Sequence, residues 1–334
     1  MPSKILLLLV LLSALFGDAW SEYKARFIQK DGRVIDRMNR AVTHTEAIGY
    51  TLFFAQHFDD DATFALVYRW YKNNIEKNDL ALPGWKWGEC DKNQWKMCDY
   101  NSASDGNLWI AYALSLMGEK HSNKAYLQES RALLKAIKAH QTIQIGGYSY
   151  LLPAERGFTD TEYAVINPSY LLFEIFAYFA EKDDCRFWTN LRNGAVRLLQ
   201  DARFSPLALN PDWVHVEKKS GAFSLAKNNT FGYDAIRIPL NILRSDLDKE
   251  TKERLLRPYG DFVDMMRTHP LGVVDLAEEK ISLKDLSFGH LAIYIRIGRF
   301  YALDVTHLQQ QLQSRIKKEH ENYYAYSLYL FTTM

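Results

Sequence analysis

The residues of this chain best suited to chemistry are gathered in its loops. Four stretches combine Trp or Tyr with Asp, Asn or Ser: Leu82-Pro-Gly-Trp85-Lys-Trp87-Gly88, Asp99-Tyr100-Asn101-Ser-Ala-Ser104-Asp105, Asn167-Pro-Ser-Tyr170 and Asn210-Pro-Asp-Trp213. Aromatic faces stack on the C–H faces of sugar rings, and neighbouring carboxylates, amides and hydroxyls answer the sugar hydroxyls. The combination points to carbohydrate. Each residue alone also has a plain structural use, the Trp residues as core and the Asp and Asn residues as helix caps. Asp105, ahead of Ile110 and Leu114, reads equally well as an N-cap. Arg237 follows Asp234 by one helical turn, where it either keeps that carboxylate ionised or makes a structural ion pair.

The elements that must hold these loops are helices. Apolar residues recur at helical spacing around Leu52 and Phe53, at Leu108, Ala111, Leu114 and Met117, and through 126–137, 171–179, 188–199, 236–243, 253–266, 291–303 and 324–331. Strict alternation occurs only around 85–97 and 148–152, which predicts one or two small hairpins on an all-α body. No βαβ rhythm and no Gly-rich phosphate loop is present. About a dozen helices without a Pro/Gly/Ser linker predict one domain of antiparallel helix pairs. Periodicity alone does not separate a closed ring of hairpins from an open solenoid.

Composition narrows the function classes. With 48% hydrophobic and 24% charged residues the chain is globular, and its formal net charge of +1 favours neither nucleic acid nor an anionic membrane as partner. Aromatic residues make up 14%, including 8 Trp and 20 Tyr, enough to furnish a groove as well as a core. Lys4 and the apolar run 5–16 resemble an export signal too short to span a bilayer, with Gly17 and Ala19 at the small-residue positions. Cleavage is expected after Ala19, with Ser21 as the alternative, giving a signal peptide over 1–19 and a mature domain over 20–334 without stable membrane insertion. Cys90 and Cys98 could bridge a hairpin in an oxidising compartment, or remain free thiols. They have no Cys/His partners at ligand spacing, so no metal is expected. Asn228-Asn-Thr230 is a formal glycosylation sequon.

Taken together, the residues resemble glycoside hydrolase family 8, including its periplasmic endoglucanases from bacterial cellulose-synthesis operons. The resemblance begins at Trp20-Ser-Glu-Tyr and Gly32-Arg-Val-Ile-Asp36, and continues through Thr45-Glu46, Trp70-Tyr-Lys-Asn-Asn74, Leu82–Gly88 and Asn101-Ser-Ala-Ser-Asp105-Gly. It resumes at Leu151-Leu-Pro153, Gly157-Phe158, Asn167-Pro-Ser-Tyr170, Pro211-Asp-Trp-Val214, Tyr233-Asp-Ala-Ile-Arg237 and Tyr323-Tyr-Ala-Tyr, in the family's order.

The resemblance implies an all-α (α/α)6 barrel with small β-hairpin decorations, a groove across one end, and hydrolysis with inversion. Glu46 then stands as general acid and Asp234 as general base for the attacking water, their carboxyl groups about 6.5 to 9.5 Å apart. Asp105 would hold the distorted sugar, and Tyr170 would orient the base and its water. Trp85, Trp87 and Trp213 are the expected stacking platforms, with Tyr100, Asn101, Ser104, Tyr233 and Arg237 as further substrate contacts; Trp109 is expected in helix packing. No cofactor is implied, because side chains do the proton transfers. The expected substrate is cellulose or a cellulose-like exported β-glucan, in the periplasm or outside the cell, with the cellulose synthase export machinery as a partner. Two departures, Asn107 for the family's second acid and Ile48 for its usual Gln, leave two alternatives: another polysaccharide (chitosan, xylan or mixed-linkage glucan), or a weakly active glucan-binding export factor.

Overall fold

The structure is a computed structural model describing residues 19–75, 81–226, 230–266, 272–278, 280–281 and 286–334. The expected signal segment up to residue 18, and Asn228 and Asn229 of the sequon, lie outside the described residues.

Helices dominate. They are α1 (19–27), α2 (Thr45–His57), α3 (Asp61–Asn74), α4 (Ser104–Lys120), α5 (Lys124–His140), α6 (Phe173–Lys182), α7 (Cys185–Asp201), α8 (Arg237–Leu243), α9 (Lys249–Met265), α10 (Phe288–Phe300), α11 (Thr306–Lys318) and α12 (Tyr323–Thr333). Two kinds alternate along the chain. The sequences of α2, α4, α10 and α12 are apolar around most of their circumference and lie buried on nearly every face. By contrast, α3, α5, α7 and α9 carry one apolar stripe each; in α7 it is Trp188, Leu191, Ala195 and Leu198, a helical repeat that packs inward and leaves the other face to water. Helix α11 buries only Leu308, so its polar sequence has no apolar period by which periodicity could find it.

Neighbouring helices pack in pairs: α2 on α3 and α4, α4 on α5, α6 on α7, α8 on α9, and α10 on α11 and α12. The first and last described helices meet. Phe27 of α1 contacts Tyr323 and Tyr326 of α12 at ring-centroid distances of 5.8 and 5.6 Å. Tyr23 Oη lies 2.8 Å from Thr51 Oγ1 of α2, and Phe54 of α2 meets Phe331 of α12 at 4.8 Å.

Small antiparallel sheets decorate this body. The alternating stretches form β2 (Lys86–Asp91) and β3 (Gln94–Asp99), which β1 (Thr43–His44) joins in one sheet, and β5 (Tyr148–Leu151), which pairs with β4 (Thr142–Ile145) in another; β1 and β4 lie outside those stretches. Two more sheets carry no signal in the sequence: β6 (Tyr163–Ile166), β7 (Val214–Glu217) and β8 (Phe223–Leu225), and β9 (Thr230–Phe231), β10 (Val274–Asp275) and β11 (Lys280–Ile281). Their strands are two to four residues long, and β6 finds β7 only after two intervening helices, so no local alternation announces them. Cys90 and Cys98 are disulfide-bonded across the β2–β3 hairpin with a Cα separation of 5.2 Å. Among the described residues no helix is long and apolar enough to cross a membrane.

Helices α2 and α4 cross at very close range. A Cβ on Gly49 of α2 would lie 2.6 Å from Trp109 Cβ, and a Cβ on Gly106 of α4 would lie 2.5 Å from Thr45 Oγ1 and 2.6 Å from the Glu46 nitrogen. Only glycine at both places lets α2 and α4 approach this closely, and the approach sets their N-termini side by side.

Candidate active site

Those two N-termini carry Glu46 and Asp105, each the second residue of its helix. The start of α2 is anchored by His44, whose Nδ1 accepts the Ala47 amide at 3.1 Å, and by the Thr45 amide, which donates to the Trp85 carbonyl at 3.0 Å. The start of α4 is held by the Ser104 amide, which donates to the Pro153 carbonyl at 2.9 Å. Unpaired amides at a helix start favour negative charge, so both carboxylates stand at the positive ends of their helices.

Asp234 arrives from the other side, in the turn before α8. Asp212 shapes that turn: its Oδ1 accepts the amides of Gly232, Asp234 and Ala235 at 3.2, 3.1 and 2.7 Å, and its Oδ2 accepts the Thr230 hydroxyl at 2.7 Å. The Asn167 amide donates to Asp234 Oδ2 at 3.3 Å. Arg237, the first residue of α8 and only 5% exposed in its side chain, joins the three acids. Its Nη1 donates to Glu46 and lies 3.4 Å from Asp105, while its Nη2 donates to Asp234 at 2.8 Å. The rings of Tyr170 and Tyr324 face the guanidinium at 5.4 and 5.7 Å.

Three carboxylates around one guanidinium leave an excess of negative charge, and the set is unequally wet. Side-chain exposure is 4% at Asp105, 15% at Glu46 and 34% at Asp234. Burial, followed by the charge of Glu46, pushes Asp105 up to about 7, so Asp105 tends to keep its proton near neutrality. Asp234 is the carboxylate that water reaches. The acids line a cavity of about 290 Å³ walled by Trp85, Tyr170, Tyr233 and Tyr324. Tyr233 also borders a second cavity of about 420 Å³ lined by Met38, Lys318 and His320, so the two adjoin across one ring.

The fold therefore brings together Glu46, Asp105, Asp234, Tyr170, Arg237, Trp85 and Tyr233. Other expected contacts stand elsewhere. Trp87 packs edge-on to Trp70 at 5.2 Å and under the Arg33 guanidinium at 4.9 Å, outside the cavity; Trp85 precedes β2, and the β2–β3 register shifts between Lys86 and Trp87, so the two rings do not share the face that simple alternation would give them. Trp213 stacks on Phe158 at 5.7 Å rather than on the cavity wall. Tyr100 is exposed beyond the cavity. Asn101 spends its side chain on the Arg156 carbonyl, and Ser104 is buried at the start of α4. Asp105 is not the N-cap; that position is Ala103, with no side-chain cap, and the carboxylate accepts the Gly106 amide at 2.7 Å. The Asp234 carboxylate accepts from Asn167 and Arg237, while the Tyr170 ring faces Arg237. Trp109 lies in helix packing against Tyr50 and Phe53, as expected.

The sequence profile of the glycosyl hydrolases family 8 matches residues 3–334. This chain belongs to that family. Among its relatives are the endoglucanase of Salmonella typhi, 37% identical over 66% of this chain and 60% of that protein, and the endoglucanase of Escherichia coli strain K12, 34% identical over 78% and 72%. The first alignment thus spans less than two thirds of the relative's length. Among solved structures, the endo-β-1,4-glucanase CMCax from Acetobacter xylinum superposes with a TM-score of 0.82 at 27% identity, covering 95% of this chain and 96% of that one.

Within this family 8 chain the two departures lie behind the site. Asn107 is fully buried and donates to Gln141 at 3.2 Å, and Gln141 in turn donates to Ser102 at 2.9 Å; together they tie α4 to the end of α5. Ile48 is buried in the apolar core. Neither lines the cavity. Four residues of the site have no role legible in sequence: Asp212, Asn167, His44 and Tyr324. All four stand within or beside stretches that carry the family likeness, but their work consists of contacts across the fold that no local pattern encodes.

Proposed function

We propose that this chain is an inverting endo-β-1,4-glucanase acting on cellulose or a cellulose-like exported glucan. The observation that carries the reading is the convergence of Glu46 and Asp234 on opposite nitrogens of Arg237, with the less exposed acid beside the buried Asp105 and the more exposed one open to water. Glu46 protonates the glycosidic oxygen as its bond to the anomeric carbon breaks. Asp234 takes a proton from the water whose oxygen attacks that carbon from the opposite face. Arg237 and Asn167 both donate to the Asp234 carboxylate and fix its orientation for this task. Trp85 and Tyr233 offer ring faces to the sugars on either side.

The scaffold we infer is one domain over 20–334 closed as an (α/α)6 barrel, supported by the alternation of buried and amphipathic helices and by the contacts of α1 and α2 with α12. Export to the periplasm or beyond, removal of 1–19, and service beside a cellulose-synthesis machine are part of the same proposal. The disulfide and the endoglucanase names of the relatives support them.

The test is reducing-end release from carboxymethyl cellulose, with chitosan, xylan and mixed-linkage glucan alongside, and proton NMR of the first anomer formed from a cello-oligosaccharide. Release of the α-anomer from β-linked cellulose supports the proposal. A β-anomer overturns inversion, release from another polymer alone changes the substrate, and binding without release replaces catalysis with a carrier role.

A further inference from the structure

We propose that His44 is a positioning residue for the general acid, with two states that treat Glu46 differently. The inference rests on the glucanase reading and deepens it. His44 is buried, lines the catalytic cavity, and is the N-cap of the helix whose second residue is Glu46. The cap is made by Nδ1 accepting the Ala47 amide at 3.1 Å, so in this state Nδ1 carries no proton and the ring hydrogen is on Nε2. Nε2 faces the Asp36 carboxylate at 3.7 Å. The same Nδ1 lies 3.9 Å from Glu46 Oε1.

One nitrogen thus stands between a backbone amide that needs an acceptor and a carboxylate that accepts a donor. Protonated at Nδ1, the imidazolium loses the cap and presents a charge and an N–H to Glu46, favouring its ionised, non-donating form. Neutral His44 holds the helix start and leaves Glu46 free to keep its proton. The groups around the ring are the carboxylates of Asp36, of Glu46 on α2 and of Asp105 on α4, and the Tyr323 ring on α12 at 5.4 Å. Burial opposes the imidazolium, and the three carboxylates outweigh it, so the group's proton affinity is raised from its ordinary value. Protonation at Nδ1 is therefore favoured more than in an isolated imidazole, and with it the state that faces Glu46.

His44→Asn separates the two roles, because Asn caps a helix without a titrating charge; His44→Ala removes both. The mature chain, H44N and H44A are assayed for kcat/KM against pH on a soluble cello-oligosaccharide, with thermal unfolding in parallel. Expected in H44N is an alkaline limb moved upward by on the order of one pH unit, with a Tm closer to wild type than that of H44A. Superimposable limbs in wild type and H44N overturn the positioning role while leaving the glucanase reading intact. If the wild type itself turns nothing over, that reading falls, and nitrogen NMR of the His44 ring still decides: an unprotonated Nδ1 at high pH that gains its proton with an affinity dependent on Glu46, seen by comparison with E46Q, supports the two states, and indifference to E46Q overturns them.

Discussion

Asp212 Oδ1 accepts the backbone amide of Asp234 at 3.1 Å, together with those of Gly232 and Ala235, so one buried carboxylate shapes the turn that presents another. Asp212→Asn keeps the volume but replaces one acceptor oxygen by a donor. The expected result is a fall in kcat of one to two orders of magnitude through a misplaced base, with KM changed less. Steady-state kinetics on cello-oligosaccharides checks it, and equal losses in kcat for Asp212→Asn and an unrelated surface variant would remove the role.

Glu46→Gln and Asp234→Asn are expected to fold and to lose turnover by about 10²–10⁴-fold each, the usual contribution of one positioned acid or base. Circular dichroism and reducing-end assays measure the two halves of that statement. Retained hydrolysis in both variants excludes these acids as the catalytic pair.

Asp105 makes stability depend on pH in a defined direction. Its carboxyl is raised from 3.8 to about 7 in the folded chain, first by burial and then by Glu46. A raised carboxyl contributes most to stability below its unfolded value and loses that contribution as pH climbs through the folded one, so this contribution declines between about pH 4 and pH 7. Asp105→Asn is therefore expected to unfold a few °C higher than wild type at pH 8, with the difference shrinking toward pH 4. Calorimetric scans across that range decide it; a wild type more stable than the variant at pH 8 reverses the sign.

The Cys90–Cys98 bridge closes a short loop, with a sequence separation of 8. Loop closure of this size is worth about 2–3 kcal/mol in the chain-entropy account. Dithiothreitol, or serine at both positions, is expected to lower the Tm accordingly, and identical melting curves with and without reductant would show that the hairpin holds its shape without the bond.

Trp20 distinguishes the two processing sites. It is buried, donates from Nε1 to Asp60 at 3.1 Å, and stacks on Tyr23 and Phe58 at 5.6 and 5.7 Å. Cleavage after Ala19 keeps these contacts and cleavage after Ser21 deletes them. Intact-mass analysis of the exported protein is expected to find Trp20 as first residue, and a chain begun at Glu22 is expected to lose about 3–5 kcal/mol, the range for removing a buried Trp.

The amino-acid order alone was enough for the helical body, for hairpin strands around 85–97 and 148–152, and for picking out Glu46, Asp105, Asp234, Trp85, Tyr170 and Tyr233, which line one cavity. It was not enough for Asp212 or Tyr324, nor for the rings of Trp87, Trp213 and Tyr100, which stand outside that cavity. Tertiary structure alone decided which of them meet. Trp85 and Trp87 are alike in sequence and two residues apart, yet the first walls the cavity and the second packs on Trp70, since Trp85 lies before β2 and the strand register shifts between Lys86 and Trp87. Asp105 has the sequence setting of a cap and is instead a buried acid beside Glu46, because Gly49 and Gly106 allow two helices to cross closely enough to join their N-termini. Arg237 reaches Glu46 across 191 positions of chain and Asp234 across three. Local spacing could announce only the second, because a contact between distant segments exists only once the helices between them have packed.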